Sequence, residues 1–173
     1  IKEQDNYKEK YDELSNVLKN KTVPLIITEG KTDWKHLKYA SEKLNGLGKI
    51  QFPDVEWFDS SSDMGDGELY KVFEVWNKMN PDRKVICIFD RDNLSMVRKI
   101  ENFKGEKNNV SAIILSIPEF RKDFCDISIE HLYKNDDLKR EIPGTVKRLR
   151  FVSEIGLSAD RSKVWVENEN DLS

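Results

Sequence analysis

Val85-Ile86-Cys87-Ile88-Phe89 is an unbroken apolar run that stops on Asp90-Arg91-Asp92-Asn93. A run this short, rich in β-branched residues and bounded by polar ones, reads as a strand buried on both faces. Such strands belong to parallel sheets, which need helices on both sides. The same run constrains chemistry. Alternate residues of an extended chain point the same way, so Asp90 and Asp92 share one side of the strand's end. Two carboxylates that close resist joint ionisation. A cation between them removes the conflict, and hard oxygen ligands suit Mg²⁺.

A second stretch repeats the design. Val23 to Thr28 reads as a strand, and it ends on Glu29-Gly30-Lys31-Thr32-Asp33. Asp33 opens a predicted helix to about Leu44, with Trp34, Leu37, Ser41 and Leu44 inward, and Asn45-Gly46-Leu47-Gly48 stops it. Val55 to Phe58 is a short second strand. Asp59 to Gly67 is a polar loop, and a helix from about Glu68 to Met79 carries Leu69, Val72, Phe73 and Trp76 inward. Asn80-Pro81-Asp82 breaks it before the central strand. A helix near Leu94 to Phe103 and a strand from Val110 to Ile117 follow. This alternation predicts an α/β, Rossmann-like fold, with about four mostly parallel strands flanked by helices. Ligands of such sheets sit at the carboxyl ends of the strands, at a topological switch point. Both acid-tipped strands end there.

The flanks are less regular. Tyr7, Tyr11, Leu14 and Leu18 form one stripe of a charged helix over residues 2–19, read as a connector. Beyond residue 120 we expect an α-rich extension. It has a helix start at Ser128 to Tyr133, a charged helical piece at Asn135 to Glu141 and a late strand at Lys163 to Val166. The expected organisation is therefore a connector at 1–21, a core at 22–120 and an extension at 121–173 that completes the site.

With 38% hydrophobic and 35% charged residues in 173, the chain can bury one proper core. No run is long enough to span a membrane and no apolar signal region opens the chain. The first residue is not Met, so a piece of a longer protein is expected. Two cysteines, Cys87 and Cys125, make neither a disulfide framework nor a metal motif, which fits the cytoplasm. Two histidines, His36 and His131, make a zinc site improbable and read as surface or packing residues. A net charge of −3 offers no bulk argument for nucleic acid, although metal bound by carboxylates reverses the local sign.

Glu29, Asp33, Asp90 and Asp92 are the strongest constellation. Pairing the first and third strands would bring all four carboxylates together, and one or two Mg²⁺ ions would resolve their repulsion. The plainer reading makes each acid a helix N-terminal cap. Gly30-Lys31-Thr32 imitates the end of a phosphate-binding loop. Strand residues precede it, so we reject that motif and read Gly30 as room for a close backbone approach or an unusual turn.

A strand ending in Glu-Gly followed by an acid, then a strand ending in Asp-x-Asp about one βαβ unit later, resembles the TOPRIM domain. The resemblance covers Val23 to Ile117. It implies a Mg²⁺-dependent site for making or breaking phosphodiester bonds, with Glu29 as the family's glutamate and Asp90 and Asp92 as its Asp-x-Asp pair. Within the family the chain is most similar to the OLD (overcoming lysogenization defect) nucleases. Asp33 matches their second acid, though it is shorter than the usual glutamate. Glu130, in Ile129-Glu130-His131-Leu132, resembles their later glutamate, with Asp126 a rival. Lys163 is a candidate for their late lysine near the phosphate.

The resemblance implies two Mg²⁺ or Mn²⁺ ions held by Glu29, Asp33, Asp90, Asp92 and Glu130. It also implies a nucleic-acid substrate, DNA ahead of RNA, and a partner ATPase domain in an anti-phage protein. Self-association would run through that missing domain. Alternatives are a primase-like or ribosomal-RNA-maturase-like TOPRIM enzyme, a degenerate binding module, and an aspartyl-phosphate enzyme of the haloacid-dehalogenase or receiver type. Lys31, Lys35 and Lys38 stand at the mouth of the expected site, where they suit phosphates or a solvated face equally. The same holds for Lys147, Arg148, Arg150 and Arg161. Trp57 and Phe58 read as core.

Overall fold

Four short apolar segments pair side by side to form the centre of the molecule. The computed structural model describes residues 22–59, 64–105 and 108–138, together with Asn16 and the strand residues 149–151 and 164–166. The elements are β1 (Leu25–Thr28), α1 (Asp33–Gly46), β2 (Glu56–Trp57), α2 (Gly65–Met79), β3 (Val85–Phe89), α3 (Leu94–Glu101) and β4 (Val110–Ile114). The sheet order is β2-β1-β3-β4 and every pairing is parallel. The fold is therefore α/β and Rossmann-like. The chain reverses direction across the sheet between β1 and β3, so the switch point lies where those two strands end.

Coverage of the two faces is unequal. On one, Leu25, Ile27, Val85, Cys87, Phe89 and Val110 pack against Leu69, Tyr70, Phe73 and Trp76 of α2, with Met96 and Ile100 of α3 beside them. Each fully buried side chain of this size stabilises by about 1.5–3 kcal/mol. Cys87 is part of this core, and burial pushes its thiol up to about 12, so it behaves as a hydrophobe. On the other face, Leu115, Ile127 and Ile129 pack with Ile88, Leu37 of α1, Phe124 and Leu132. β3 therefore alternates buried and half-buried residues, which corrects the reading of a strand sealed on both sides. The α1 face depends on the segment after β4 for its cover.

That segment has two 3-10 turns, Glu119–Arg121 and Ile129–Leu132, a short α4 (Asn135–Leu138), and an antiparallel pair of β5 (Leu149–Phe151) and β6 (Val164–Val166). β6 falls where a late strand was expected; β5 was not anticipated. Arg121 is buried and fastens the segment. Its guanidinium donates to the carbonyls of His131 at 3.3 Å and Tyr133 at 2.7 Å, and to the Asn135 side chain. Lys147, Arg148, Arg161, Lys163, the Arg150 side chain and, Asn16 apart, the helix expected over 2–19 lie outside the described residues. No described helix is long and apolar enough to cross a membrane.

Helix limits follow local chemistry. α1 runs two residues past Leu44, which is exposed rather than inward, and Gly48 takes a φ of +64° just beyond the helix end. α2 ends at Asn80, whose left-handed φ of 46° suits a C-cap. The start of α2 differs from expectation. Gly65, not Glu68, opens the helix, and its φ of +67° is open to glycine at little cost.

Candidate functional site

The register of β1 and β3 builds the site. Thr28 sits beside Ile88, so the next residues, Glu29 and Phe89-Asp90, leave the sheet together. The Asp90 N–H points at Glu29 Oε2, 3.4 Å away. Glu29 also positions the next helix. Its carbonyl accepts from Met64 N–H at 3.1 Å and Gly65 N–H at 3.2 Å. Gly65's backbone makes that turn, and it delivers Asp66 in the first turn of α2 to the same strand ends. Asp66 then accepts from Asn93 Nδ2 at 2.6 Å. Asn93 caps α3 with its other atom, Oδ1 accepting from Ser95 N–H at 3.0 Å and Met96 N–H at 3.2 Å.

Asp33 comes from the first turn of α1. Its Oδ2 accepts from Gly30 N–H at 2.7 Å. A Cβ at Gly30 would meet that carboxylate at 2.7 Å, so the glycine is there for close approach. The extension supplies the remaining acids. Arg91 N–H donates to Ile127 carbonyl at 2.6 Å, and Arg91 Nε to Leu115 carbonyl at 2.8 Å. These bonds set Asp126 against the Asp90-Arg91-Asp92 turn. Glu130 follows in a 3-10 turn, its Oε2 accepting from Ser128 Oγ at 2.7 Å.

The electrostatics report one coupled cluster. Burial, then Asp33, Glu29, Asp92 and Glu130, push Asp90 up to about 9. Burial, then Asp92, push Glu29 up to about 7, with Asp66 and Asp33 adding to the rise and the Asp90 N–H opposing it. The five acids singled out in the sequence thus act on one another. They do not all share one surface. An open cleft of about 700 Å³ is lined by Glu29, Asp66, Asp92, Asn93 and Asp126, among others, and not by Asp90, Asp33 or Glu130. The sequence does not single out Asp66 as a site residue, although its loop, residues 60–67, follows a strand on the site's side and reads as either a wall of the groove or a solvent-exposed connection. The available signal was Gly65-Asp66-Gly67 after the second strand, an acid placed to enter a helix, as Asp33 does after the first.

The donors suit a hard divalent cation, because every candidate ligand is a carboxylate oxygen. Among the described residues, however, no three carboxylate, histidine or cysteine side chains are arranged to hold a metal ion as they stand. Three of the acids are turned to other donors. Asp33 is turned to Gly30, Asp66 to Asn93 and Glu130 to Ser128. A cation would compete with those donors for the carboxylates.

The histidines pack, as expected. His131 is buried with its ring against Phe124, and His36 Nδ1 lies 2.9 Å from the Tyr133 hydroxyl. Phe58 is core, and half-buried Trp57 stacks on Phe52. No family model, curated protein or solved structure matches this chain.

Proposed function

We propose that this domain is a TOPRIM-type, Mg²⁺- or Mn²⁺-dependent nuclease that hydrolyses phosphodiester bonds in DNA. Among such enzymes it is most like the OLD nucleases of ATPase-linked anti-phage proteins. The single observation that carries the reading is the meeting of Glu29 with Asp90 at the β1/β3 switch point, inside a cluster of further carboxylates. Perturbed acids gathered at and behind the wall of a cleft, as Glu29 and Asp90 are, are a recognised mark of a functional site. An acid cluster this coupled is costly unless something cationic shares it.

Glu29, Asp90 and Asp92 would hold the ions, with Asp33 and Glu130 on the Asp90 side. A divalent ion bound there supplies charge neutralisation for the scissile phosphate and the leaving oxygen. The chain's own contribution is arrangement. Burial and the neighbouring acids raise the Asp90 carboxyl to about 9, so a bound cation would compete with its proton. The Asp90 N–H orients Glu29, and the Arg91–Ile127 bond holds the Asp92 turn against the extension.

Plasmid nicking with Mg²⁺ or Mn²⁺, comparing the wild type with Asp90→Asn, tests the proposal. Metal-dependent nicking lost in the variant is expected; equal cleavage by both proteins overturns it. A second reading, a binding module that cleaves nothing, draws support from the carboxylates' not being preassembled as a cage. It predicts no thermal stabilisation by either ion, whereas an ion that binds only the folded state raises the melting temperature.

A further inference from the structure

The face of α1 turned to solvent carries a pattern that the acid cluster does not use. Lys35, Tyr39 and Lys43 recur at spacings of four, so they stack in one column, with Lys38 and Glu42 beside them. All five are exposed. Tyr39 is 65% exposed, which is unusual for an aromatic ring on a helix that has an apolar face to bury. The ammonium groups of Lys35 and Lys38 each lie 6.0 Å from the Trp34 ring centre, at the limit of a cation–π contact. Three lysines against Glu42 leave this face net positive in a chain of net charge −3. The column begins at the site, because Asp33 is the first residue of α1. The hydrogen bond between His36 and Tyr133 ties the same helix to the segment that carries Glu130.

We propose that this face of α1 is a track for single-stranded nucleic acid, with phosphates on Lys35, Lys38 and Lys43 and a base stacked on Tyr39. The proposal deepens the nuclease reading and rests on it for its direction, since the track leads a strand to the Asp33 and Glu130 side of the acids. Phosphate contacts alone would suit a duplex equally. An exposed aromatic ring between lysines favours a single strand, whose bases are free to stack. The cleft of about 700 Å³ is lined by four acids and by no lysine or arginine, so without a bound cation it offers phosphates no comparable footing.

Fluorescence anisotropy with a labelled oligothymidylate and with a duplex of equal length, both in EDTA, tests the proposal without needing cleavage. Wild type is expected to bind the single strand more tightly. Tyr39→Ala should weaken single-strand binding by about tenfold and leave duplex binding unchanged. Lys35→Ala with Lys38→Ala should lower the slope of log affinity against log salt by about 1.4, or about 0.7 per lost phosphate contact. Equal single-strand binding by wild type and Tyr39→Ala, or equal loss for strand and duplex, overturns the track. Nicking assays on the same proteins separate the two ideas. If the track variants lose binding while no protein nicks DNA, the track stands and the nuclease reading falls. If wild type nicks and the track variants bind and nick as it does, the reverse holds.

Discussion

The two ends of the same sheet treat charge in opposite ways. At the amino end, Arg83 is buried, donates through Nε to the Val23 carbonyl at 2.6 Å, and forms an ion pair with Glu56 of β2. Charge and hydrogen-bonding capacity are both met there. At the carboxyl end, Glu29 and Asp90 are held by burial and by other acids above their ordinary values, and no basic side chain among the described residues figures in either shift. Where a buried charge serves only the fold, a partner comes with it. Where two acids are instead raised by burial and by other acids, as Glu29 and Asp90 are, folding stability alone does not explain them, and a cationic ligand does.

The comparison breaks most readily at Asp90. Asp90→Asn should cut metal-dependent nicking by about a hundredfold or more, the scale on which transition-state charge stabilisation is lost. It should not destabilise the metal-free protein at alkaline pH, because it removes a repelling carboxylate; denaturant unfolding in EDTA checks this. Arg83→Ala should do the opposite. It leaves Glu56 without its buried partner and should cost about 3–5 kcal/mol in urea unfolding, with little effect on the metal response. Exchanging the pair together, Arg83→Met with Glu56→Leu, should recover most of that loss. If Arg83→Ala were neutral, the amino end would not be the compensated end.

Titration sharpens the contrast. Glu29 and Asp90 have folded values raised above the usual 4.5 and 3.8, to about 7 and about 9. A raised acid contributes stability that is fully present below its unfolded value and lost as pH rises through the folded one. Metal-free stability should therefore fall as pH rises from about 4 to about 9, first with Glu29 and then with Asp90. Excess Mg²⁺ should add about 2.7 kcal/mol of stability at a hundred times its dissociation constant, chiefly at high pH where the acids are ionised, and so flatten the fall. Unfolding curves across that range, with and without Mg²⁺, measure both terms; a flat metal-free profile would contradict the acid coupling. The smallest expected effect belongs to Asn93→Ala. Losing the α3 cap should cost about 1 kcal/mol, and losing the bond to Asp66 should loosen the cleft wall without emptying the Asp90 side.

Local pattern made the elements legible. The apolar run of 85–89 is β3 to the residue, and Leu69, Phe73 and Trp76 are buried as their spacing implied. Gly30 reads in the sequence as room for a close backbone approach or an unusual turn; in the fold the room is taken by the Asp33 side chain. The start of α2 was not legible. It depends on the Glu29 carbonyl, which lies thirty-six residues before Gly65, and on Gly65's positive φ. The same distance hid Asp66. Asp126 was legible only as a rival, because the Arg91–Ile127 bond that sets its place joins two segments with no shared periodicity.

By itself, then, the sequence determined which segments are strands and helices and which of them end in acids, because side-chain periodicity and chain-breaking residues act over a few neighbours. Tertiary structure alone decided which acids meet. Placing β1 beside β3, hanging α2 from Glu29 and folding the extension across Arg91 are choices among long-range hydrogen bonds. Those bonds bring Glu29, Asp66, Asp90, Asp92 and Asp126 to one end of one sheet.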